Sequence, residues 1–90
     1  MNSPANHSRP HVSVIIVNFN SADKLQLCVE SLLKVDLNLE VVIVDNASVD
    51  DSLSRLDSVY GNDSRIQIIQ NQENLGFAVA CNIGARQTTG

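Results

Sequence analysis

The sequence predicts an α/β domain, a three-layer α/β/α arrangement around a parallel sheet, and three observations carry the prediction. Short β-branched apolar runs at residues 12–17, 41–44 and 66–69 alternate with segments of helical periodicity, so the order reads β-α-β-α-β-α. The first two runs are continuous rather than alternating, as strands covered on both faces are. Distinctive polar residues follow the carboxyl end of each run, where open α/β sheets bind ligands. Parallel β-α-β units of this kind cross over in the right-handed sense.

Residues 1–11, with Ser3, Pro4, Ser8 and Pro10, read as a flexible leader, and the domain occupies 12–90. His7 and His11 lie in or beside that leader and read as solvated tail histidines rather than metal ligands. The run VSVIIV at 12–17 is the first strand and ends in Asn18. Ser21 is placed to cap the following helix. In that helix Leu25, Cys28, Val29, Leu32 and Leu33 fall at i, i+3, i+4, i+7 and i+8, and Lys34 sits near its negative end. The second strand, VVIV at 41–44, closes with Asp45 and Asn46. Asp50 can cap a short helix carrying Leu53, Leu56 and Val59 or Tyr60. A turn cluster at 61–64 precedes a thinner third strand with Ile66, Ile68 and Ile69, nearer a sheet edge. Residues 78–86 form the third helix.

Ninety residues allow one domain at most. A chain of this size buries only about 60–65% of its unfolded surface. The composition, 43% hydrophobic and 18% charged, is that of an ordinary globular protein. The net charge is −4 and the six basic residues are scattered, which argues against nucleic acid as a partner. An acidic domain can still hold a nucleotide through backbone N–H groups and a bound cation. Cys28 and Cys81 stand in no metal-ligand spacing and read as two buried, reduced thiols. No apolar stretch resembles a secretory signal or a membrane span, which leads to the expectation of a cytoplasmic protein. The sequons at Asn6, Asn46 and Asn62 are accordingly expected to carry no glycan.

The candidate site lies in three loops. The first strand delivers Asn18, Phe19 and Asn20; the second delivers Asp45, Asn46, Ala47, Ser48 and Asp50; the third leads to Asn74, Leu75 and Gly76. Asn18 and Asn20 suit either a ligand or the turn itself. Asp45 at a strand end suits a base N–H or ribose hydroxyl, whereas Asp50 reads rather as a cap. Phe19, one of three aromatics, is either a buried wedge or a platform for a flat base. Gly76 supplies a permissive backbone before a helix N-terminus, a natural seat for an anion. Ala78, Ala80, Gly84 and Ala85 let that helix approach closely, and Asn82 would be an unusual core residue without a hydrogen-bonded amide. Neither the G-x-G-x-x-G nor the G-x-x-x-x-G-K-[ST] fingerprint is present.

Taken together, the segments VSVIIVNFN (12–20), VIVDNASVD (42–50) and N-x-G-F-A-x-A-x-N-x-G (74–84) resemble the start of the family-2 glycosyltransferases of GT-A fold. The form with Asp45, Asn46, Ala47 and Ser48 is similar to rhamnosyltransferase-like members that build cell-envelope polysaccharides. The resemblance covers roughly residues 12–90 and implies a partial GT-A fold, a Rossmann-like nucleotide-binding half. It implies an inverting enzyme that takes a nucleoside-diphosphate sugar, with rhamnose the candidate sugar, and a glycan or lipid-linked acceptor. Phe19 would lie beside the base, Asp45 and Asn46 would contact base or ribose, and Asn74, Gly76 and Asn82 would border the nucleotide. Many relatives carry two adjacent acids where this chain has Asp45 and Asn46.

The same resemblance places the cation-binding acids and the general base beyond residue 90. A divalent cation, Mg²⁺ or Mn²⁺, is therefore expected in the full-length enzyme and none on these residues, which alone are expected to be inactive. An adjacent pair such as Asp50 and Asp51 at a helix start reads as capping rather than as a metal site. Such an enzyme would work in the cytoplasm, peripherally at the inner face of the membrane. Family members flank the first strand on both sides; here it would be an apolar edge prone to self-association through residues 12–17. The rival reading is a non-catalytic α/β module whose rim binds a small ligand or a protein.

Overall fold

The β-branched run that opens the chain forms β1 (Val12–Asn18), and the second forms β2 (Leu39–Asp45). In the computed structural model, which describes residues 12–35 and 38–88, they are followed by the shorter β3 (Ile66–Gln70). The helices are α1 (Lys24–Leu33), α2 (Ser52–Tyr60) and α3 (Phe77–Arg86), and the elements alternate along the chain. The leader at 1–11, with His7 and His11, lies outside the described residues.

The sheet is parallel with order β1-β2-β3. Register aligns Asn18 with Asp45 and Asp45 with Gln70, so the strand ends form one row at the carboxyl rim. The period-two alternation of β2 sorts its side chains between two layers. Val41 and Ile43 pack with Leu25 and Val29 of α1 and Leu56 of α2. Val42 and Val44 pack with Ala80 of α3 on the opposite face. The three-layer α/β/α fold read from the sequence is therefore the one observed. Each fully buried Val or Ile of β2 stabilises by about 1.5–3 kcal/mol.

α3 lies close to the sheet because its inward residues are small. A Cβ on Gly84 would come within 2.6 Å of Ile15 Cγ2 and 3.1 Å of Val44 Cγ2. Ala80 is fully buried one turn earlier.

Three local readings are corrected and one open choice is decided. β1 is covered less than a central strand: residues 13–17 remain partly exposed, because among the described residues β1 pairs on one side only and the core is centred on β2. The side chain of Ser21 does not cap α1; its hydroxyl donates to Asn18 Oδ1, and its carbonyl accepts from Lys24 N. Cys28 is exposed and Cys81 only partly buried, both as free thiols, since Leu25 and Val29 take the inward face of α1 and leave Cys28 on its flank. On α2 it is Tyr60 that packs on the core, while Val59 is exposed.

Candidate functional site

The carboxyl rim is built from two hydrogen-bonded clusters, joined where Asp45 and Asn46 are neighbours in the chain. The first ties the β1–α1 loop to the β2–α2 loop. Asn18, 2% exposed, donates from Nδ2 to Asp45 Oδ1 (2.8 Å), Ser52 Oγ (3.0 Å) and Ser48 Oγ (3.3 Å). Asp45, 3% exposed, also accepts from Ser48 Oγ at Oδ1 (2.6 Å) and from Ser48 N at Oδ2 (3.0 Å). Asn20 donates from its backbone N to Ser48 Oγ, and its Oδ1 accepts from Val49 N and Asp50 N. Asp50 closes the bridge: Oδ2 accepts from Ala22 N (2.9 Å), and Oδ1 accepts from Ser52 N (3.1 Å) and Ser52 Oγ (2.6 Å). The bonds from Ser52, then Ala22, hold its carboxyl below the usual 3.8. Asp50 thus holds the first N–H of α2 from one residue ahead of the N-cap position, which is Asp51, and Asp51 pairs with Arg55 at 2.9 Å.

The second cluster ties β2 to the loop ahead of α3. Asn46, 2% exposed, donates from Nδ2 to Gly76 O (3.2 Å) and accepts at Oδ1 from Asn71 Nδ2 (2.9 Å) and Leu75 N (3.4 Å). Asn74 Oδ1 accepts from Gly76 N at 2.8 Å. Gly76, at φ 84°, is the N-cap position of α3, and its carbonyl also accepts from Ala80 N.

The backbone pays for this convergence locally. Among the described residues, those with left-handed φ are Asn20 (49°), Ala22 (53°), Ala47 (64°) and Gly76 (84°), and all four lie in these loops. Such conformations each cost about 1–2 kcal/mol for a residue with a Cβ, and they persist where surrounding bonds over-determine them.

Of the residues read from the sequence, Asn18, Asn20, Asp45, Asn46, Asp50, Asn74 and Gly76 are brought into these clusters. Phe19 stands between Asn18 and Asn20 and is 50% exposed, so it is no buried wedge. Asn82 is exposed on α3 and, among the described residues, shares no hydrogen bond with either cluster, so it is not the core amide considered above. Ser52 and Asn71 were not singled out by the sequence, and Ser48 was named in the second loop without a role. The Asp-x-x-Ser spacing of 45 and 48, which matches a side-chain cap on a turn, was the available signal for Ser48. The buried amide of Asn46 also removes it as a glycan acceptor.

A separate shallow cavity of about 400 Å³ lies between α2 and β3, lined by Asp50, Leu53, Ser54, Asp57, Ile68 and Gln70. Of the rim residues named above, only Asp50 and Gln70 reach it. Among the described residues no group of three or more His, Cys, Asp or Glu side chains is placed to hold a metal ion, and no buried side-chain N or O lacks a partner.

Fold and rim together define an α/β domain whose cross-bonded loops lie beyond the carboxyl ends of parallel strands, the place where open sheets of this kind bind ligands. The model of glycosyl transferase family 2 matches residues 13–90, and the chain belongs to that family. It is 37% identical over 76 residues to an uncharacterised glycosyltransferase of Haemophilus influenzae, covering 83% of this chain and 24% of the relative. It is 38% identical over 77 residues to a chondroitin synthase of Pasteurella multocida, covering 84% of this chain and 8% of that protein. A solved mannosyltransferase from Pyrobaculum calidifontis, in complex with GDP-Man and Mn²⁺, superposes with a TM-score of 0.78 at 29% identity. That match covers 98% of this chain and 27% of the mannosyltransferase. The chain spans about a quarter or less of the length of these relatives.

Proposed function

We propose that this chain forms the nucleotide-recognising part of an inverting glycosyltransferase that moves a sugar from a nucleoside-diphosphate donor to a cell-envelope glycan or lipid-linked acceptor. The observation that carries the reading is the rim itself: loops from all three strands are cross-bonded into one surface, with an aromatic ring left half exposed on it. Support comes from the neighbour solved with GDP-Man and from the polysaccharide synthase among the relatives. The sugar we favour is rhamnose, on the Asp45-Asn46 form of the second loop.

In this reading Phe19 offers its face to the base. Asp45 Oδ2 accepts one hydrogen bond within the protein and keeps capacity for a second from a base N–H or ribose hydroxyl. Asn74, Gly76 and Asn82 border the nucleotide, with Asn20 and Asp50 holding the loops that frame it. Transfer itself is in-line: an acceptor hydroxyl attacks the anomeric carbon and loses its proton to a general base, and the bond to the diphosphate breaks as the nucleotide leaves. We assign the base, and the Mg²⁺ or Mn²⁺ expected in the complete enzyme, to the part of family members that this chain does not span. The outer edge of β1, which no other described strand pairs, further supports self-association through residues 12–17.

Calorimetric titration of the chain with UDP, GDP and dTDP, with and without Mg²⁺ or Mn²⁺, tests this. At least one should bind, and Phe19→Ala should weaken it about tenfold, at the level of about 1–3 kcal/mol per stacked base. Binding of none of them, by a folded chain, overturns the reading.

A further inference from the structure

Asn46 is nearly inaccessible, yet both ends of its amide are used. Its Oδ1 accepts from Asn71 and Leu75 at the two ends of the β3–α3 loop, and its Nδ2 donates to the carbonyl of Gly76. That carbonyl is the one that accepts the first helical hydrogen bond of α3, from Ala80 N. One side chain therefore fixes the loop, the left-handed Gly76 and the start of the helix against the end of β2.

We propose that Asn46 is the positioning residue of the donor site: its amide sets the pose in which Asn74, Gly76 and the first turn of α3 face the nucleotide. The proposal rests on the nucleotide-binding reading given above. A carboxylate has the same shape but cannot donate. Placed at 46, it would face the Gly76 carbonyl oxygen at the 3.2 Å now spanned by a hydrogen bond. It must then either keep a proton or push the loop away. Burial and the opposing carbonyl raise the pKa of a carboxyl there, and Asp45 beside it in β2 and Glu73 in the loop act in the same direction.

The test is Asn46→Asp, followed at pH 5.5 and pH 8 by calorimetry with the nucleoside diphosphate that binds best and by amide exchange at Leu75 and Ala80. The protonated side chain can still donate to Gly76 O, so affinity at pH 5.5 should stay within about threefold of the parent chain, and at pH 8 it should fall about tenfold or more, the size expected for an unmet buried group. Exchange at Leu75 and Ala80 should quicken over the same pH interval, while exchange in β2 does not. Asn74→Ala introduces no titrating group and should weaken binding without a pH slope. If Asn46→Asp does not fold at either pH, Asn71→Asp puts a carboxylate against Asn46 Oδ1 and should give the same slope. Unchanged affinity at both pH values overturns the proposal. Loss of affinity with unchanged loop exchange also overturns it, because Asn46 would then act on the nucleotide directly. If the parent chain binds no nucleotide, the donor-site reading fails separately, and a pH-insensitive loop in Asn46→Asp still refutes the positioning role.

Discussion

Asp45 was favoured for ligand contact by its place at a strand end and Asn46 by the family resemblance, and both are buried in bonds to their own chain. An acid or amide at a strand end looks alike in sequence whether it faces a ligand or the next loop. What separates the cases is the partner, and here the partners come from 25 to 30 residues away. Phe19 was legible only as a choice, and its exposure decides for the surface. Left-handed residues were legible at Gly76, where glycine announces itself, and not at Ala22 or Ala47. Ala47 gives a direct prediction. Replacing it with glycine relieves left-handed strain and adds unfolded-state entropy of smaller size, so Ala47→Gly should stabilise by about 0.5–1 kcal/mol. Urea unfolding of the two chains measures it, and a lower midpoint for the glycine variant would count against strain at 47.

At the scale of elements, the alternation of runs and stripes placed all three strands and all three helices in order, because periodicity is set by local geometry. Burial was less legible. The continuous apolar run of β1 looks like a central strand, but its neighbours, not its composition, decide what covers it. Small residues on α3 did carry information, since close approach to a sheet requires them. At Gly84 an added methyl would meet Ile15 and Val44. Gly84→Ala should therefore lift α3 and destabilise by about 1–3 kcal/mol despite the better helix propensity of alanine. A denaturation midpoint at or above that of the parent would mean that the sheet yields more easily than packed interiors do.

For the whole molecule, the decisive features are an asymmetric sheet and a rim sewn across it. β1 ends the sheet with a row of backbone groups and apolar side chains left partly exposed. Sedimentation should accordingly show mass rising with concentration, and β1 amides should gain protection from exchange as it does. A monomer at all concentrations with β1 amides already protected would exclude pairing through that edge. The rim has a consequence in time as well as in space. Its bonds between the first and second loops join residues 27 to 34 positions apart. None of them can form until β1 and β2 lie side by side, since loop closure must precede the reward of a distant contact. The rim loops that we propose hold the donor should thus mature after the sheet and open before it, and folding kinetics would read their substitutions as faster unfolding at an unaltered folding rate.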